Sequence, residues 1–167
     1  MIHPDLVAQA TVDSPLGPLL LGATGKGLAY LWFIDAQYHE TNELDAPQDA
    51  ANRFIAEAVA ELDAYWAGNC PRRFRVPLDL HGTAFQRAVW RELVKVPPGR
   101  TSTYGQIARA VGAPQAARAA GAAIGRNPVA IIVPCHRIIG SNGSLTGFAS
   151  GLPRKERLLQ LEGALLV

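Results

Sequence analysis

The sequence predicts an α+β protein, with a small antiparallel sheet domain at residues 1–80 and a helical domain at 81–167. Three observations carry this. Apolar runs broken by turn residues fill the stretch before residue 34, whereas from residue 50 onward apolar positions recur at helical spacing with capping residues at the breaks. The charge also changes sign near His81: residues 1–81 hold 5 Lys+Arg against 11 Asp+Glu, and residues 82–167 hold 11 Lys+Arg, nine of them Arg, against 3 Glu. A cationic half beside an acidic one points to a polyanion partner for the second half only. A solvated basic surface would show the same charge pattern.

Residues 7–12 and 17–22 flank a turn at Asp13-Ser14-Pro15-Leu16-Gly17, and Gly27 to Phe33 is a third, aromatic-rich run. Together they read as a meander. Phe54, Ile55, Val59, Leu62 and Trp66 mark one face of a helix from Ala50 to Trp66 that covers the sheet, with Gly68-Asn69 as its stop. The Pro-containing connector ends at His81-Gly82, where the domain boundary falls.

Thr83-Ala84-Phe85-Gln86 fits a capping box opening a helix over about 84–95, with Phe85, Val89 and Leu93 inward. Pro97-Pro98-Gly99 ends it. Thr103 caps a second helix, Tyr104 to Val111, stopped by Gly112, and Pro114 opens a third, Gln115 to Ile124. Helix, short turn and Arg-bearing helix make a helix-turn-helix, a pattern that helical cores share. Val129 to Val133 reads as a short buried strand running into Pro134-Cys135-His136-Arg137. A loop over 140–151 with four glycines then leads to a helix opened by Pro153 and carrying Leu158, Leu159 and Leu161.

A 49% apolar composition suits a packed core, and neither a signal-like N-terminus nor an apolar run long enough for a membrane span is present. The expectation is a cytoplasmic protein. Its two cysteines, Cys70 and Cys135, are too few for a disulfide scaffold and are not spaced for zinc.

A thiol attacks as thiolate, and its ordinary pKa of about 8.5 leaves only a small ionised fraction at neutral pH. Cys135 therefore needs a neighbouring base. His136 is adjacent, Arg137 follows, and a carboxylate such as Glu162 could orient the imidazole. Adjacent side chains do not normally point the same way, so His136 would act through a bridging water or a bent backbone, which Pro134 favours. A buried Cys that serves only as a small apolar side chain is the competing reading. Cys70, in a Pro-rich connector without a nearby His, reads as structural.

The stretch Asn127-Pro128-Val129-Ala130-Ile131-Ile132-Val133-Pro134-Cys135-His136-Arg137-Ile138-Ile139-Gly140 resembles the signature of the O6-alkylguanine-DNA alkyltransferases. The likeness extends through Phe85-Gln86 to Trp90, Tyr104 to Ala108, Ala116 to Ala119, Gly147, and Lys155-Glu156 to Glu162-Gly163. It thus spans residues 83–163, with a weaker match at Ser14 to Pro18. It implies a ribonuclease-H-like sheet domain followed by a winged helix-turn-helix domain. The implied activity is irreversible single-turnover transfer of an alkyl group from O6-alkylguanine, and from O4-alkylthymine, in double-stranded DNA to the protein's own Cys135. No cofactor is implied, and the protein is expected to be a monomer without DNA.

The resemblance further implies that Cys135 is the acceptor, its thiolate maintained by His136 through a water, with Glu162 on the other ring nitrogen. Arg118 would fill the space left by a nucleotide rotated out of the duplex, since a stacked base keeps its O6 substituent out of line for attack. Tyr104 would crowd the 3′ phosphate and donate to the departing guanine. Asn127 and Arg137 are grouped with the DNA-binding residues, Asn127 also tying the turn before the Cys loop. Small residues at Ala116, Ala117, Ala119, Ala120 and Gly121 would allow close approach to the minor groove. The pocket would comprise Tyr104, Ile138, Leu145, Gly147, Phe148, Ala149 and Ser150. Backbone amides near 148–150 would donate to O6, and the carbonyls of Cys135 and Ile138 would accept from the exocyclic amine.

Many relatives have Tyr at the position of Phe148 and some have Ser at that of Ala149, so side-chain hydroxyl help at O6 is missing; Ser150 stands where glycine is common, which bears on tolerance for bulky alkyl groups. His3 and His81 have no matching cysteines and earn no metal assignment. Three other classes remain open at this level: a lesion-binding protein without transfer activity, which the intact Pro-Cys-His-Arg opposes; a multiple-turnover cysteine hydrolase using Cys135, His136 and Glu162; and a sequence-specific winged-helix regulator.

Overall fold

The structure, a computed structural model, describes residues 4–37 and 44–164. Strands β1 (Leu6–Val12), β2 (Leu19–Thr24) and β3 (Leu28–Phe33) form one antiparallel meander in the order β1-β2-β3. All six residues of β2 are buried, as a central strand covered on both faces requires. Helix α1 (Arg53–Trp66) packs on the sheet and begins at Asn52, whose side chain accepts from the amides of Phe54 and Ile55. Its inward face is Phe54, Ile55, Ala58, Leu62 and Tyr65, so Tyr65 rather than Trp66 is the fully buried aromatic.

Helix α2 (Ala84–Val94) carries the complete Thr83–Gln86 capping box, and α3 (Tyr104–Ala110) carries a second between Thr103 and Gln106. Gly112 ends α3 at φ 78°, a conformation that other residues reach only at a cost. Helix α4 (Ala117–Gly125) begins two residues later than the sequence suggests. Pro114 is not in its first turn: it lies in a preceding turn closed by Ala116 N–H donating to Ala113 O at 2.8 Å. Two-residue strands β4 (Ser102–Thr103) and β5 (Ile138–Ile139) pair in parallel, and α5 (Leu152–Leu161) closes the fold with Pro153 in its first turn. Leu158 and Leu159 are fully buried, but Leu161 is 38% exposed and not part of the inward face.

The expected strand over 129–133 is replaced by tight turns. Only Val129 bridges to another strand, and Val133 N–H turns back onto Val129 O at 2.9 Å. Ile131 makes this possible at φ 71°, a left-handed conformation costly for a β-branched side chain, about 1–3 kcal/mol, and sustained by its complete burial. Leu31 N–H donates to Pro128 O at 2.9 Å, and Ala130 N–H donates to Leu31 O at 2.8 Å. The edge of the N-terminal sheet thereby holds the segment that leads to Cys135. A single buried apolar cluster runs through both halves.

Candidate active site

Pro134 ends these turns and Cys135–Arg137 form one 3-10 turn. At three residues per turn, successive side chains leave the axis about 120° apart. Cys135 and His136 can therefore serve different neighbours although they are adjacent. Both are buried, Cys135 at 7% exposure and His136 at 0%.

His136 Nε2 lies 2.8 Å from Glu162 Oε2. Glu162 follows α5 directly, and burial, which works to raise its pKa, is outweighed by the hydrogen bonds from His136 and Arg137, which hold it down at about 2. An ionised carboxylate only accepts, so Nε2 carries the ring proton and the lone pair sits on Nδ1. Nδ1 is buried and has no hydrogen-bond partner among the described residues. A base nitrogen is thus left free on the ring that follows Cys135.

Burial pushes the Cys135 thiol up, with the Asn127 amide and the Lys155 ammonium acting against it without prevailing. Burial also pushes His136 down despite Glu162. Burial thus acts on both groups against their charged forms, and Asn127, Lys155 and Glu162 act in favour of them.

Arg137 is not available to DNA. It is 3% exposed, its Nε donates to Glu162 Oε1 at 2.8 Å, its Nη2 to Oε2 at 3.0 Å and its Nη1 to Val96 O at 2.6 Å. Its charge is used up in holding the carboxylate. Asn127, also grouped with the DNA-binding residues, is buried at 5% exposure: its amide donates to Val133 O at 2.7 Å and its carbonyl oxygen accepts from Val129 N–H at 3.0 Å. It braces the turn that delivers Cys135.

On α4, Arg118 and Ala119 are exposed, Ala116, Ala117 and Gly121 are half-buried, and Ala120 faces the core at 0% exposure. The small-residue surface therefore excludes Ala120. Tyr104 stands beside it, its ring 3.6 Å from where a Cβ on Gly121 would be, and its hydroxyl donates to Thr146 O at 3.0 Å. That hydroxyl secures the glycine-containing loop to α3.

The pocket at Cys135 is lined by Phe148, Ala149, Ser150 and Gly147 on the loop, by Asn127, Ile124, Gly125 and Ala130, and by Trp32 of β3. Tyr104, Ile138 and Leu145 do not line it. Ile138 is fully buried and its carbonyl already accepts from Lys155. His81 pairs with Asp79 at 3.0 Å, and His3 lies outside the described residues.

Three further residues matter that the sequence reading passed over. Lys155 is completely buried; its ammonium donates to the carbonyls of Ile138, Thr146 and Gly147, and burial brings its pKa down to about 8. Its position three and four residues before the buried Leu158 and Leu159 was a readable sign that it faces inward. Tyr65 donates to Glu162 Oε2 at 2.8 Å, across 97 residues of chain. Trp32 had no sequence signal beyond lying in an apolar run.

Family models match the chain in two stretches. They are described as 6-O-methylguanine DNA methyltransferase, ribonuclease-like domain, over residues 7–80, and 6-O-methylguanine DNA methyltransferase, DNA binding domain, over residues 84–164. The chain is similar to the methylated-DNA--protein-cysteine methyltransferase of Mycobacterium leprae, at 50% identity over 152 residues, covering 91% of this chain and 90% of the relative. For the protein of the same name in Methanosarcina acetivorans the identity is 47% over 157 residues, covering 93% and 97%. The fold is similar to that in a crystal structure of Mycobacterium tuberculosis OGT in complex with DNA, with a TM-score of 0.85 at 46% identity over 95% of this chain and 94% of that one.

Proposed function

Since the chain belongs to the 6-O-methylguanine DNA methyltransferase family, we propose that it repairs DNA by direct reversal as a methylated-DNA--protein-cysteine methyltransferase, with Cys135 as the acceptor of the alkyl group. One observation supports the assignment of the acceptor: the Cys135 thiol lines the pocket, and the imidazole of the next residue has one nitrogen tied to a buried carboxylate and the other without a partner among the described residues.

The chemistry follows from that arrangement. His136 Nδ1 takes the thiol proton, directly or through a water, and Glu162 stabilises the imidazolium that forms. The thiolate attacks the alkyl carbon on O6; the S–C bond forms as the C–O6 bond breaks, and the electron pair leaves with guanine, which gains a proton. A thioether is a poor leaving group, so each molecule reacts once. Burial disfavours charge on both groups, so the proton transfer depends on the Glu162 carboxylate behind the imidazole. Backbone amides near 148–150, donating to O6 of the bound substrate, favour that step.

The substrate is double-stranded DNA bearing O6-alkylguanine, or O4-alkylthymine, and the protein is a monomer in the absence of DNA. Arg118 and Ala119 are exposed on α4, and the half-buried Ala116, Ala117 and Gly121 leave room for a groove. Arg118 fills the gap left by the extruded nucleotide and offsets part of the unstacking cost, a few kcal/mol per step. Among the described residues no helix is long and apolar enough to cross a membrane.

The test is intact mass after mixing with O6-methylguanine duplex, followed by peptide mapping. A gain of one methyl on the peptide holding Cys135, with product stoichiometric to protein, supports the proposal. An unmodified Cys135, or product exceeding protein, overturns it.

A further inference from the structure

One wall of the pocket beside Cys135 comes from the N-terminal half. Trp32 on β3 is 4% exposed and lines the pocket with Ala130, Cys135, Phe148 and Ser150. Its placement follows from the sheet edge. Leu31 exchanges hydrogen bonds with Pro128 and Ala130, so the residue after Leu31 stands beside the chain that turns into Cys135. The Tyr30 ring backs the indole at a centroid distance of 4.7 Å.

The opposite wall is tied to the same half of the protein. Gln37 N–H donates to Ala149 O at 2.8 Å. Arg154 donates to Leu16 O, Ser150 O and Asp35, and its guanidinium lies over the Phe33 ring. Both the indole and the 147–150 loop are thus bonded to the sheet domain.

Tyr104, Ile138 and Leu145, expected to surround the base, are not on this part of the pocket. Trp32 lines the same pocket as the acceptor sulfur, and under the transfer proposed above the substituent on O6 enters that pocket to meet the sulfur. Building on the alkyl transfer proposed above, we infer that Trp32 is a specificity-determining residue: its indole limits the size of the alkyl group that Cys135 can accept. The sheet domain then selects substrate as well as supporting the fold. Apolar pockets discriminate by about 10–200-fold per methylene when a wall is rigid, which is the scale such a residue commands.

The test measures single-turnover rate constants on duplexes carrying O6-methylguanine or O6-benzylguanine, for the unaltered protein, Trp32→Ala and Trp32→Phe. Each constant is referred to the fraction of molecules that accept methyl. Trp32→Ala should raise the benzyl-to-methyl ratio by about tenfold or more, with Trp32→Phe intermediate. A purely structural role would slow both substrates alike, and an unchanged ratio in folded variants overturns the inference while leaving the acceptor role intact. Should the alanine variant not fold, Trp32→Phe decides by the same ratio. If the unaltered protein transfers neither group, the functional reading fails and this inference falls with it.

Discussion

The Tyr65 hydroxyl, on α1 of the sheet domain, donates to the same Glu162 oxygen that holds His136, at 2.8 Å in both cases. Glu162 thus gathers Tyr65, His136 and Arg137, with the Cys70 thiol close by; burial first, and then the Glu162 charge, push that thiol up to about 11. This agrees with a passive Cys70. It also makes the sheet domain part of the support for the His136 imidazole.

Tyr65→Phe keeps the buried ring and removes one donor to a buried charge. Hydrogen bonds to charged groups are worth about 1.5–3 kcal/mol, so the variant should lose about that much stability. Urea unfolding of the two proteins measures it; equal midpoints would show that the hydroxyl contributes nothing net.

Glu162 should make stability acid-sensitive. Its folded pKa, about 2, lies below the ordinary 4.5, so its ionised form contributes stability that is complete above 4.5 and is lost as pH falls through about 2. The side chain is fully buried, and the linkage amounts to about 3 kcal/mol. Glu162→Gln should lower stability at neutral pH by about 3–5 kcal/mol through the unpaired Arg137. It should also flatten the decline between pH 4.5 and 2 seen in the unaltered protein. Parallel pH–stability curves would contradict this.

Cys135→Ala should abolish transfer and leave duplex affinity unchanged, because a buried thiol makes no contact with the DNA backbone. Label transfer and a binding titration on the same preparation check both halves. Residual transfer by this variant would exclude Cys135 as acceptor.

Arg118→Ala should slow transfer by about tenfold or more, the scale of losing part of a few kcal/mol of unstacking compensation. Affinity for intact duplex should fall far less, since only one exposed cation is removed. Comparable losses on damaged and intact duplex would argue against insertion.

Locally encoded features were readable in the sequence. The meander, the Thr83 and Thr103 caps and the Gly112 stop depend on residues a few positions apart, and the structure contains each of them. The likeness around Pro134-Cys135-His136-Arg137 named the family through residue identity rather than geometry. Two local readings failed for identifiable reasons. Val129 to Val133 has the composition of a strand, but the Asn127 side chain and the left-handed Ile131 fold it into turns. Pro114, suited to a helix start, stands in a turn instead.

The sequence by itself determined the meander, the helices with their caps at Thr83 and Thr103, and which family the protein resembles, because these rest on short-range capping, periodicity and motif identity. Only the tertiary structure decided that Arg137 is buried against Glu162, that Lys155 holds three carbonyls, and that Tyr65 and Trp32 reach the site from the other half of the chain. The physical reason is that a side chain's charge and shape are visible in sequence, whereas burial and partners are set by contacts between residues far apart along the chain. Those contacts decide whether an arginine meets DNA or a carboxylate.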